Sequence, residues 1–252
     1  MKLTPNDVVT YESAEGVATI MINRPDRLNA IDEEVEQGLQ AAWLHFNSRD
    51  EDRVAVLTAA GDRAFSVGRD RSVTAPPDYR RFTPNVVIAV DKPIIGAVSG
   101  WCLGGAMVLV QACDLLIAAE DTKFSYPEVK IGFAGGLLCA LAGRIPHKIA
   151  MEILLLGKEI SAQRAYDVGF VNRIVPVGQQ VAEAQAMARE MATHSPLVMQ
   201  MLKRGVGHAL PKCPAEEGAL ALRETETVFN SEDFQEGLKS LQEKRRPQFK
   251  GR

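Results

Sequence analysis

The chain has 252 residues, 46% apolar, 24% charged and 6% aromatic, with 29 Lys and Arg against 32 Asp and Glu and a formal net charge of −3. At roughly 100–200 residues per domain, this length supports one large core or a domain with an appendage. Near-average apolar and charged content excludes a disordered, fibrous or low-complexity chain, and the missing basic excess leaves no general phosphate-neutralising surface for nucleic acid.

Val17 to Ile22 is a short β-rich run closed by Asn23-Arg24-Pro25. Val35, Leu39, Ala42 and Phe46 then fall on one helical face, and Asp32 is placed to cap that helix. Val54 to Thr58 reads as a buried strand, followed by a turn at Gly61-Asp62. Ser66 to Asp91, which contains Pro76, Pro77 and Pro84, predicts a loop leading into a helix that ends near Val90. Strand Ile94 to Ser99, a glycine turn, helix Gly105 to Ala112 and strand Leu115 to Ala119 follow. Short strands alternating with helical segments imply parallel crossovers and a layered α/β fold.

Beyond Ser161 the signals turn helical, apart from a strand at Asn172 to Pro176. Val181, Ala184, Ala188 and Met191 share one face, and Ser231 with Glu232 and Asp233 starts a helix whose apolar side carries Phe234, Leu238 and Leu241. The expected division is a spiral or sheet core over residues 1–190 and a helical region over 191–252, with no repeat of fixed period.

Cys102, Cys113, Cys139 and Cys213 form no Cys-x-x-Cys pair, so free thiols in a reducing compartment are expected. Asp7 and Glu12 interrupt the start of the chain, which lacks the apolar core of a secretory signal, and Ile94 to Ala119 is too often broken by polar residues and glycine to span a membrane. A cytoplasmic location follows as an expectation. No dinucleotide or phosphate-loop glycine fingerprint follows any candidate strand. His45, His147, His194 and His208 are spaced unlike a metal site, so none is expected. Ser99 misses the nucleophile-elbow pattern by one position.

Three segments carry chemistry. Gly104 and Gly105 open a helix after a strand, where unpaired N–H groups and the positive end of the dipole can hold an oxyanion; taken alone, the pair reads first as a tight turn and close helix packing. Ala64 to Asp70 is an extended run ending in a glycine turn. Glu128 follows a proline just beyond the strand near Phe124, and an isolated Glu is ordinarily a solvated surface charge.

Together these segments resemble the enoyl-CoA hydratase/isomerase family, the crotonase superfamily, across almost the whole chain. The ordered matches are Asn23-Arg24-Pro25 with Leu28-Asn29-Ala30, Phe65 to Asp70, Lys92-Pro93 with Gly100, Leu103-Gly104-Gly105 and Ala112-Cys113-Asp114. They continue through Phe124, Pro127 to Lys130, Gly132, Ala165 with Gly169 to Pro176, and Glu243 to Phe249.

The resemblance implies a crotonase-like spiral of ββα units with a helical C-terminal trimerisation region, assembled as a homotrimer or dimer of trimers. It implies an acyl-CoA thioester substrate with no separate cofactor, and neither nucleic acid nor membrane as a partner. By position, the backbone N–H groups of Arg69 and Gly105 polarise the thioester carbonyl. Leu28, Ala30, Val67, Gly68 and Asp70 line the substrate path, and Glu128 is the acid/base. Family hydratases carry a first carboxylate three residues after the oxyanion glycine; here that position is Val108.

One carboxylate suits moving a double bond better than adding water, so the leading expectation is enoyl-CoA isomerisation. The alternatives are a hydratase, dehydratase or C–C lyase of unusual substrate, or a non-catalytic acyl-CoA-binding protein. Arg144 to Glu152 looks like members near the carnitinyl-CoA dehydratases, which points the other way. The Arg69 side chain is expected to pair with a CoA phosphate or narrow the pocket, Asp70 to cap a helix or order the oxyanion loop, and Phe133 to Leu138 to alter the acyl end.

Overall fold

In the computed structural model, which describes residues 3–73, 78–133 and 136–252, the chain begins with a meander whose last strand matches the expected run at Val17 to Ile22 and whose first two lay outside the sequence expectations. It consists of β1 (Leu3–Asn6), β2 (Val9–Ala14) and β3 (Val17–Ile22). Between β2 and β3, Glu15 and Gly16 both take positive φ in a two-residue hairpin turn that pairs Ala14 with Val17. Buried Val9 and Tyr11 alternate with more exposed Thr10 and Glu12, so the period-2 signal was present in a short outer strand.

Helix α1 (Glu33–Ser48) starts where expected: the Asp32 carboxylate accepts the Val35 N–H at 3.1 Å. Val35, Leu39, Ala42 and Phe46 are all fully buried along it. A pattern of long strand, short strand and helix then recurs. It runs β4 (Val54–Ala59), β5 (Ala64–Ser66), α2 (Tyr79–Phe82); β6 (Ile94–Val98), β7 (Trp101–Leu103), α3 (Gly105–Gln111); β8 (Leu115–Ala119), β9 (Lys123–Ser125), α4 (Glu128–Ile131). Unequal connecting loops hide this repeat from any search at fixed period.

After α4 come a 3-10 stretch (Leu137–Gly143), α5 (His147–Leu156), β10 (Ile160–Ser161), α6 (Ala162–Asp167) and β11 (Arg173–Val175). Helices α7 (Gln180–Ala192), α8 (Pro196–Ala209), α9 (Pro214–Phe229) and α10 (Glu232–Gln242) complete the fold.

Among the described residues the strands form two sheets. The larger has the order β1-β2-β3-β4-β6-β8-β11, parallel from β3 onward; the smaller has the order β10-β9-β7-β5, with β5, β7 and β9 parallel. Central strands of the large sheet are covered on both faces, which is why they read as unbroken apolar runs. Val54, Val56, Ile95, Ala97 and Ile117 face one way, toward Ala184 and Ala188 of α7. Ala55, Leu57, Ile94, Val98 and Leu116 face the main core with α1.

Three local expectations are corrected. No helix ends near Val90 among the described residues: α2 stops at Phe82 because Pro84 holds Thr83 extended, and Asn85 closes a turn by accepting the Val90 N–H. Pro76 and Pro77 lie outside the described residues. The glycine turn after β6 also contains a strand, β7, which seeds the small sheet. Asp70 begins no helix; its carboxylate accepts the Ser72 N–H at 3.0 Å and hydroxyl at 2.7 Å, closing the loop after β5.

The basic tail is matched by acids on α10 and at its C-terminal cap. Arg245 is paired with Glu236 and Glu243, and Lys250 and Arg252 both lie beside Glu232. No helix among the described residues is long and apolar enough to cross a membrane.

Candidate active site

The three chemical segments meet because β5, β7 and β9 lie side by side and run the same way. Ser66 pairs with Cys102 and Leu103 with Ser125. Their C-terminal ends therefore deliver the Gly68 loop, the Gly104-Gly105 turn and Glu128 to one edge of the small sheet.

Gly68 takes φ +79°, and a Cβ built on it would fall 2.7 Å from the Leu103 carbonyl oxygen and 3.0 Å from the Gly105 nitrogen. Only glycine allows this approach of the two loops. The Gly68 N–H donates to the Ser66 hydroxyl at 3.1 Å, which fixes the turn. Ile31 donates to the Gly68 carbonyl and accepts from the Asp70 N–H, forming a parallel bridge to Arg69. In such a bridge the N–H and C=O of the central residue point away from the partner strand, so the Arg69 N–H is turned from Ile31. Gly105 is the first residue of α3, and its N–H has no carbonyl one turn back to bond.

Glu128 packs against this pair. Its side chain is 6% exposed, and a Cβ on Gly104 would lie 2.5 Å from its Oε1. Oε2 is buried without a hydrogen-bond partner among the described residues. Burial pushes the carboxyl up to about 7, only partly opposed by its own backbone N–H, so it is balanced between acid and base near neutrality. Val108, one turn into α3, is fully buried in the main core.

The Arg69 side chain follows a path the sequence did not suggest. It turns toward α1 and pairs with buried Glu36, Nη1 to Oε1, at 2.6 Å. Burial raises the Glu36 carboxyl pKa despite the opposing Arg69 cation and the Asp78 N–H that it accepts. Glu36 thus joins the loop that carries Gly68 and Arg69 to the start of α2, where Asp78 accepts the Arg80 N–H. An acid beside Val35 and three residues before Leu39, on the buried flank of the α1 pattern, was the available signal.

Tyr79 of α2 was also missed. Its ring rests on Gly105: a Cβ there would fall 3.3 Å from Cε1 and 3.4 Å from the hydroxyl oxygen. It lies in the irregular segment, where no periodicity marks it.

The remaining expected residues sit beside this centre. The Leu28 carbonyl accepts the Val67 N–H at 3.2 Å, which ties both to the loop after β5. Leu28 also lines a cleft of about 400 Å³ with Arg63, Trp101 and Lys123. Ala30 is buried, with its carbonyl accepting from Arg24 at 2.7 Å. The same guanidinium lies 3.5 Å from Asp70. Buried Asn29 donates to the Ala60 and Ala64 carbonyls and so anchors the Leu28 turn to β5. In the stretch Phe133 to Leu138, Ala134 and Gly135 lie outside the described residues.

Parallel strand ends thus bring two glycine turns and a buried carboxyl to one edge of the small sheet. Residues 12–252 match the profile of the family described as Enoyl-CoA hydratase/isomerase, and the chain belongs to that family, within the crotonase superfamily. It is 35% identical to (E)-benzylidenesuccinyl-CoA hydratase of Thauera aromatica, over 96% of this chain and 99% of the relative. It is 34% identical to carnitinyl-CoA dehydratase of Salmonella typhi, over 94% and 95% of the two chains. Among solved structures, carnitinyl-CoA hydratase from Mycobacterium avium superposes with a TM-score of 0.76 at 32% identity, covering 98% of this chain and 100% of the other.

Proposed function

We propose that the protein adds water to, or removes it from, the conjugated double bond of an acyl-CoA thioester. The Gly105 and Arg69 N–H groups hold the thioester oxygen, and Glu128 moves the protons. The observation that carries this reading is the buried Glu128 carboxyl against Gly104, held near pKa 7 with one oxygen unpartnered. As carboxylate it takes a proton from water while the water oxygen bonds to the β-carbon and the alkene pair moves toward the thioester oxygen. The same carboxyl then passes that proton to the α-carbon, so one molecule of water is added in all. Each fixed donor facing the developing oxyanion contributes roughly 2.7–4 kcal/mol to the barrier reduction.

The choice of hydration over isomerisation, the leading expectation from the sequence, draws on the hydratase and dehydratase names of the relatives. Isomerisation remains the second reading, favoured by Val108 in place of a second carboxylate. A panel of 2-enoyl, 3-enoyl and 3-hydroxyacyl thioesters separates the two. Interconversion of 2-enoyl and 3-hydroxyacyl-CoA is the expected result, and a 3-to-2 double-bond shift without water uptake would reverse the choice. Leu28, Ala30, Val67, Gly68 and Asp70 fall, in this reading, along the entry of the CoA moiety.

We also propose that residues 191–252 form an oligomerisation region. Helix α8 has no buried residue, and Leu197, Met201, Leu202 and Val206 stand exposed on it, as does Leu241 on α10. Apolar surface on that scale is ordinarily covered by another chain. Light scattering is expected to give the mass of three or six chains, and a monomer would refute the assignment.

A further inference from the structure

We infer that the Tyr79 hydroxyl is a second catalytic group, one that hydrogen-bonds the oxygen added to or lost from the β-carbon. This inference rests on the hydration reading above and deepens it by naming what stands opposite Glu128 when Val108 cannot act.

Tyr79 is only 7% exposed, and its hydroxyl oxygen stands 3.4 Å from where a Cβ on Gly105 would lie. The ring is held by contact with Phe82, centroids 5.2 Å apart, and by the face of Gly105. Its hydroxyl is thereby set beside the first residue of α3, on the next residue of the same turn that carries Glu128 over Gly104. The two side chains flank two successive glycines, one of which offers the backbone donor. A β-carbon is two bonds from the carbonyl carbon held by that donor, so a hydroxyl beside Gly105 lies on the scale of the reacting atoms.

Burial, with Tyr126 and Glu128 nearby, raises the Tyr79 pKa above the usual tyrosine range, and the group stays protonated throughout the working pH range. It therefore donates a hydrogen bond and does not exchange its proton with the substrate. In dehydration, Glu128 takes the α-proton and its electron pair forms the new double bond. The C–O pair leaves with the hydroxyl, which receives the proton from Glu128 and departs as water. Through these steps the Tyr79 O–H supports the charge growing on the departing oxygen. In hydration the same bond holds the attacking water.

Tyr79→Phe removes the hydroxyl and leaves the ring packing in place. The test compares wild type, Tyr79→Phe and Glu128→Gln in two assays: interconversion of 2-enoyl-CoA and 3-hydroxyacyl-CoA, and deuterium uptake at the α-carbon of a saturated acyl-CoA. Uptake needs only the carboxyl and the backbone donors. Tyr79→Phe is expected to lose at least tenfold in kcat for water addition while still exchanging the α-hydrogen, and Glu128→Gln to lose both. Tyr79→Phe that hydrates within twofold of wild type, or that loses both reactions in equal proportion, would overturn the role. Wild type that exchanges but never adds water fails the hydration reading itself, a different and separately visible outcome.

Discussion

Glu128→Gln is expected to lower turnover by roughly 10²–10⁴-fold, the usual contribution of a positioned general acid/base, with a smaller change in KM. Its carboxyl is buried at the Gly104-Gly105 turn, and an amide preserves the shape while removing the transferable proton. Because burial moves the carboxyl from 4.5 to about 7, the wild-type rate of water addition should rise with pH through about 7 and then level. The variant's residual rate should lack that inflection. Stability moves in the opposite sense. The folded state binds the proton more tightly than the unfolded chain, so the stabilisation of the neutral form is complete below about 4.5 and is lost as pH rises through about 7. The loss amounts to about 3 kcal/mol. Glu128→Gln should therefore unfold at higher denaturant than wild type at pH 8, with the difference vanishing near pH 4. A variant that keeps full turnover, or a wild-type profile flat across pH 6–8, would remove Glu128 from the mechanism.

Gly68→Ala is expected to cost about as much as losing an oxyanion donor, roughly 10²–10³ in kcat. The added Cβ would stand 2.7 Å from the Leu103 carbonyl and 3.0 Å from the Gly105 nitrogen. Both are backbone atoms that cannot swing aside, so the loops carrying the two donors must separate. The positive φ adds strain of about 1–3 kcal/mol. Gly169→Ala supplies the control, since Gly169 has φ +80° but open space around a new Cβ. Denaturant midpoints should fall for both variants, whereas kcat should fall only for Gly68→Ala. Equal kinetic losses would mean that backbone strain alone explains the effect and that loop contact does not matter.

Both predictions depend on residues whose identity was legible in the chain. Gly68, Gly105 and Glu128 stood in an ordered set of segments, and the amphipathic face of α1 with its Asp32 cap followed from spacing alone. The central strands were visible because burial on both faces leaves an unbroken apolar run. Less was legible where the signal was short or non-local. Strand β7 is three residues inside what reads as a glycine turn, and it exists because β5 and β9 pair with it from either side. Tyr79 was not legible, since a pattern based on α3 could not show that a ring from α2 lies against the same turn. Arg69 was expected near a phosphate because nothing local to it reveals Glu36, 33 residues earlier and buried on another element.

By itself the sequence determined the layered α/β class, the helical character of the last third, and the glycines and single acid on which the proposed chemistry rests. These rest on periodicity and on residue types that only certain backbones accept, both of which are local. Tertiary structure decided that three strand ends share one edge, that Arg69 faces α1, and that the Glu128 carboxyl titrates near neutrality. Each of these depends on which distant groups surround a residue, and desolvation and pairing act only once the chain has brought them together.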